Sequence, residues 1–158
     1  ANPSPVITGG SQYQTYGRYS ARMRVRADVG DMSEYHVAWL LWPQSEQWPQ
    51  DGEIDFPEGG LNGTAKGYHH HAGPVGCGNG CVEAARDIGA RFTDWHTYTI
   101  EWSPGRLRML LDDEVVLDTT ANVPSGPMRW QLQTETNGNG NSSGHLQVDW
   151  VSVWAYQN

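Results

Sequence analysis

The stretch Trp48-Pro49-Gln50-Asp51-Gly52-Glu53-Ile54-Asp55-Phe56-Pro57-Glu58 limits what this chain can become more than any other. Three carboxylates fall within six residues, and between them stand Ile54 and Phe56, which favour strands and packed interiors. Charges in apolar company cost free energy unless they are used or compensated. As a strand the stretch alternates, with Glu53 and Asp55 on one face and Ile54 and Phe56 on the other. Glu58 follows Glu53 by five residues, an odd spacing that sends it to the apolar face. Pro57, which has no amide proton to give a ladder, marks the place for a bulge. One extra residue at Phe56-Pro57 restores the phase and gathers Glu53, Asp55 and Glu58 on one face.

Carboxylates in this pattern suit retaining glycoside hydrolysis. One attacks the anomeric carbon, the other gives a proton to the leaving oxygen and later activates water, at a separation of about 5–5.5 Å. A straight strand spreads four effective residues over roughly 13 Å between Cα atoms, so curvature and inward-leaning side chains have to close the gap. Asp55, held between the two glutamates, raises the proton affinity of a neighbouring carboxyl and can share a proton with the nucleophile.

The run Glu53-Ile54-Asp55-Phe56-Pro57-Glu58 resembles the signature of glycoside hydrolase family 16, in the bulged Glu-x-Asp-x-x-Glu form of its laminarinase-like members. Three more motifs lie in order: Tyr16-Gly17-Arg18-Tyr19-Ser20-Ala21-Arg22-Met23, Trp95-His96-Thr97-Tyr98-Thr99-Ile100-Glu101-Trp102 and Val148-Asp149-Trp150-Val151-Ser152-Val153-Trp154. The resemblance implies a jelly roll with a concave substrate cleft, and endo-hydrolysis of a β-1,3- or mixed β-1,3-1,4-glucan by double displacement. Carried over by motif order, Glu53 is the nucleophile, Asp55 the modulator and Glu58 the acid/base. Catalysis needs no cofactor, and Asp149 matches a position that ligates a structural calcium in many members. Two other classes fit the same scaffold: a non-catalytic carbohydrate-binding jelly roll, and the same chemistry on a galactan-type polymer or as a transglycosylase.

The residues themselves support an all-β sandwich. Short alternating runs are separated by Gly and Pro turns, and nothing reads as a long amphipathic helix. Tyr19 to Arg26 alternates, Tyr35 to Trp42 is a largely apolar central strand, and Arg106 to Leu111 and Val115 to Asp118 form a hairpin. At 158 residues the chain is expected to be one domain over 1–158. Family members usually carry several strands before the Tyr16-Gly17-Arg18 motif. Only fifteen residues precede it here, so those strands are expected to be short or missing.

A formal charge of -8 argues against nucleic acid and anionic membrane as partners. No apolar run approaches the roughly 20 residues of a spanning helix. The expected partner is a polysaccharide and the expected state a monomer. The chain begins Ala1-Asn2-Pro3-Ser4 without methionine, as a mature secreted protein or a trimmed chain would, so the expected location is extracellular. Cys77-Gly78-Asn79-Gly80-Cys81 then reads as a local disulfide between Cys77 and Cys81.

Further candidates concern the substrate. Of His69-His70-His71, a strand would send His70 to one face and its neighbours to the other, making His70 a ligand of cleft carboxylates or sugar hydroxyls. From Pro127 to Asn137, Gln131, Gln133 and Glu135 share the face opposite Trp130, Leu132 and Thr134, so Gln133 and Glu135 are candidate sugar contacts. Trp42, Trp48 and Trp95, at strand ends or loops, are candidate stacking surfaces. Trp39, Trp102, Trp150 and Trp154 are expected in the core.

Overall fold

In a computed structural model, which describes residues 2–6, 9, 11–72 and 81–157, the chain folds as two antiparallel sheets with no α-helix among the described residues. The strands are β1 (Tyr13–Gln14), β2 (Gly17–Val29), β3 (Tyr35–Pro43), β4 (Glu53–Gly60), β5 (Thr64–His70), β6 (Val82–Arg91), β7 (His96–Ser103), β8 (Arg106–Leu111), β9 (Glu114–Thr119), β10 (Met128–Thr136) and β11 (Ser143–Ala155). A six-stranded sheet runs in the order β1-β10-β3-β4-β5-β6 and a five-stranded sheet in the order β11-β2-β7-β8-β9. This is the all-β sandwich that the alternating runs predict.

The core lies between the sheets and follows from alternation. Val37, Trp39 and Leu41 of β3, Ile54 and Phe56 of β4, and Met128 and Trp130 of β10 point inward from the larger sheet. They meet Tyr19, Ala21, Met23 and Val25 of β2, Tyr98, Ile100 and Trp102 of β7, and Leu107 and Met109 of β8. Edge-to-face aromatic pairs tie the layers, among them Phe56 with Tyr98 at 5.4 Å and Tyr19 with Trp130 at 5.8 Å. Since every odd residue of β3 is committed to this core, its even residues form the opposite, outer surface.

The bulge expected at Phe56-Pro57 is present. On β3, Leu40 pairs with Asp55 and Ala38 with Glu58; on β5, Tyr68 pairs with Asp55 and Lys66 with Glu58. Two residues of either neighbour thus span three of β4. Immediately after Glu58, Gly59 adopts φ 150°, and a Cβ there would stand 2.9 Å from the carbonyl oxygen of Thr64, so this exit from the strand requires glycine.

A second bulge corrects two expectations. Trp150 and Trp154 are 40% and 64% exposed, not core residues. Val148 pairs with the inward Met23, but the register shifts at Asp149, so Trp150 falls opposite Arg22 and Trp154 opposite Arg18 on the outer face. Val151 and Val153 fall opposite Ala21 and Tyr19 instead; Val153 packs against the core, while Val151 stays 42% exposed on this edge strand. A one-residue slip inverts every later side chain, and a bulge does the same locally. The N-terminal segment lies along the larger sheet: the Leu132 amide donates to the Pro3 carbonyl at 2.9 Å, and Tyr13 pairs with Arg129. The hairpin of β8 and β9 turns at Asp112 and Asp113, which take φ 49° and 69°, the paired left-handed conformation of a two-residue loop.

His69 of β5 points into the core, where it is fully buried. Burial, with His71 adding to it, pushes its imidazole down to about 4 from 6.5. The unfolded chain therefore binds a proton there between pH 6.5 and 4 while the folded chain does not, so stability is lost as pH falls through that window. Against a His69→Gln variant, the native protein should lose an extra ~3 kcal/mol between those limits. Denaturant melts of both proteins at pH 7 and pH 4 measure the difference, and parallel losses would contradict the buried neutral imidazole.

Candidate active site

The outer surface of the larger sheet forms a cleft of about 480 Å³. Its floor is a grid set by register. Gln131, Leu40, Asp55 and Tyr68 lie side by side across β10, β3, β4 and β5, and the next row holds Gln133, Ala38, Glu58 and Lys66. Arg129 stands opposite Trp42 at one end, and Glu135 opposite His36 at the other. Glu53, Asp55 and Glu58 all face this space, as the bulge requires.

Burial controls their protonation. Asp55 is only 2% exposed, and burial followed by the charges of Glu53 and Glu58 raises its carboxyl well above the usual aspartate range. The shift favours its neutral form beside Glu53. Burial also raises Glu53, while nearby His70 and hydrogen bonding with Trp48 and Asp55 oppose the rise. His70 places Nε2 at 3.4 Å from Asp55 Oδ2 and stacks on Tyr68 at 5.7 Å. Ligand atoms of Glu53, Asp55 and His70 lie within 4.8 Å of one another, near enough to feel one another's charge or to bracket a cation.

Of the substrate candidates, His70, Gln133 and Glu135 line the cleft. Trp48, 40% exposed, sits at its rim with its ring 6.4 Å from His70. Trp95 is not brought there. Its ring lies under the guanidinium groups of Arg22 and Arg24, at 4.7 and 4.9 Å, on the outer face of the other sheet. The two arginines come from the non-core face of β2, and Trp95 follows them because it precedes β7, the neighbour of β2. The bridge expected between Cys77 and Cys81 involves Cys77, which lies outside the described residues; Cys81 is buried and is not a free thiol.

Asp149, the expected calcium ligand, lies in β11 with its carboxylate 48% exposed, and its Oδ2 accepts from Arg22 at 2.6 Å.

Trp42 also lines the cleft. Besides Ala38, Leu40 and Gln131, three lining residues were not among the sequence candidates: His36, Glu46 and Arg129. Two had a readable signal. His36 shares the even face of β3 with Ala38, Leu40 and Trp42, and Arg129 is in phase with Gln131, Gln133 and Glu135. Glu46 had none, because it comes from a turn at φ 57°. It accepts from Arg129 at 2.6 Å and from the indole of Trp42 at 2.6 Å, fixing the guanidinium at the cleft end.

Comparison with known proteins agrees with this architecture. The chain is 34% identical over 122 residues to a beta-glucanase of Rhodothermus marinus, a match that covers 70% of this chain and 40% of that protein. It is 26% identical over 129 residues to a keratan-sulfate endo-1,4-beta-galactosidase of Sphingobacterium multivorum, covering 79% of this chain and 30% of that protein. It thus spans well under half the length of either relative. The solved structure of the laminarinase from Rhodothermus marinus superposes with a TM-score of 0.72 at 23% identity, over 92% of this chain and 68% of that one, which establishes the shared jelly-roll fold. The family model for glycosyl hydrolases family 16 matches residues 2–152, and the chain belongs to that family.

Proposed function

We propose that this chain is a retaining endo-glycosidase acting on a β-linked glucan, of the β-1,3 or mixed β-1,3-1,4 type. One observation carries the reading: the bulge in β4 delivers Glu53, Asp55 and Glu58 to a single cleft floor, with Asp55 buried between the two glutamates and its carboxyl pushed upward. In the first step Glu53 attacks the anomeric carbon as Glu58 gives its proton to the glycosidic oxygen, the C–O bond breaks and the leaving chain departs. In the second, Glu58 takes a proton from water, the oxygen attacks the anomeric carbon, and Glu53 is released with the β configuration kept. Asp55 holds its proton throughout, orienting Glu53 and stabilising the charge that returns to it.

Cleft chemistry favours a neutral polymer. Glu46, Glu53, Asp55, Glu58 and Glu135 line it, and Arg129, the one arginine among the lining residues, is already paired with Glu46. A sulfated chain would meet repulsion there, so of the two relatives' substrates a glucan is the better fit. Gln131, Gln133 and Glu135 offer an amide and carboxylate edge to sugar hydroxyls, and Ala38 and Leu40 an apolar floor beneath a pyranose ring. Such polymers are met outside the cell, and we infer that the protein works there.

Reducing-sugar release from laminarin and barley β-glucan should exceed that from agarose, carrageenan and keratan sulfate, and Glu53→Gln should abolish it by at least about 10³-fold. Binding of these polymers without turnover would instead support a carbohydrate-binding module. Glu53→Ala supplied with azide should yield a glycosyl azide of inverted configuration, the attack coming from the vacated face. Glu58→Ala should lose about 10²- to 10⁴-fold on the polymer yet keep its rate on substrates with good leaving groups. The opposite pairing of rescues would exchange the two roles.

A further inference from the structure

The reading above gives tasks to Glu53, Asp55, Glu58 and Glu135 and none to His36, a titratable side chain that also lines the cleft. His36 is the second residue of β3, and its outward direction is forced because Val37 beside it is buried in the core. It lies opposite Gly60 on β4 and Glu135 on β10, with Nε2 at 3.3 Å from Glu58 Oε1. Its side chain is 40% exposed and that of Glu58 23%, so the contact is partly shielded from water.

We propose that His36 is a positioning residue for Glu58, holding one carboxyl oxygen and sharing a single proton with it across that contact. This rests on the assignment of Glu58 as the acid/base. The charged groups facing the imidazole are Glu58 from β4, Glu135 from β10 and Lys66 from β5. Two carboxylates outweigh one ammonium, and His36 is accordingly raised, first by the hydrogen bond to Glu58, against an opposing effect of burial.

The consequence for catalysis follows from counting protons. With one proton, the pair exists as imidazolium and carboxylate or as imidazole and carboxylic acid, two forms of the same composition that no pH change interconverts. Only the second form can protonate a glycosidic oxygen, and its concentration falls only when the pair as a whole loses its proton. That loss occurs at a pH typical of histidine, above that of a carboxyl alone. The alkaline limb of the acid step therefore reports the pair and not a lone carboxyl, and the bond to Oε1 leaves the second oxygen of Glu58 for the sugar.

His36→Gln keeps a neutral donor at similar reach but cannot hold the proton. The alkaline limb of kcat/KM on the polymer should move down by about one to two pH units. On an aryl glycoside whose leaving group needs no protonation, the limb should stay where it is. A limb unmoved on the polymer would overturn the shared proton. A second measurement needs no turnover: the His36 imidazole resonances, followed by NMR through a pH titration of the full chain, should show a midpoint above that of an ordinary histidine. In Glu58→Gln the midpoint should drop back. If it does not, the pairing is wrong whatever the protein hydrolyses, whereas a moved midpoint in a protein inactive on every glucan would strike at the proposed function and leave the pairing standing.

Discussion

The arrangement depends on one constraint in β4: Ile54 and Phe56 must reach the core while three carboxylates reach the cleft. A regular strand satisfies this for Glu53 and Asp55 and fails for Glu58, because the side-chain period is two. The extra residue at Phe56-Pro57 resolves the conflict, and the neighbours confirm it, with Leu40 and Ala38 on one side and Tyr68 and Lys66 on the other pairing across the gap. On either side of the extra residue, Asp55 and Glu58 keep partners on both neighbouring strands. A floor built on central strands, not on loops, holds its side chains in fixed register, and cleft chemistry of this kind needs that precision.

Collecting acids on such a floor carries an electrostatic cost, and the structure meets it locally. Asp55 is so buried that its neutral form is favoured, which lessens the repulsion among the three carboxyls. His70 and Trp48 add to the support of Glu53, and Arg129 is neutralised by Glu46 at the far end. His36 lies between Glu58 and Glu135, where an imidazole compensates two carboxylates from adjacent strands. The same low polarity that raises Asp55 on β4 lowers His69 on the core side of β5, so buried groups of adjacent strands shift in opposite directions.

Much of this was legible in the residues. The odd spacing of Glu58 and the proline before it sufficed to locate the bulge in β4, and strict alternation sufficed to put Gln133 and Glu135 on the cleft side. The bulge at Asp149 left no such mark: no proline or glycine flanks it, so Trp150 and Trp154 were read in the phase of Val148 and assigned to the core. β6, Val82-Glu83-Ala84-Ala85-Arg86-Asp87-Ile88-Gly89-Ala90-Arg91, shows little alternation because it is an edge strand with few core positions, of which Ala90 is the buried one. Trp95 was placed by residue type alone, and type does not say which sheet surface a loop residue meets.

The sequence by itself determined the fold class, the composition of the acidic motif, and the phase of each regular strand, because these depend on short-range periodicity and on the chemistry of adjacent residues. Tertiary structure alone decided which strands became neighbours. That choice put His36 of β3 against Glu58 of β4 and Glu135 of β10, Glu46 from a turn against Arg129, and Arg22 against Asp149. Pairing between distant segments is set by the total burial of two interlocking faces, a quantity spread over the whole chain. No local window contains it.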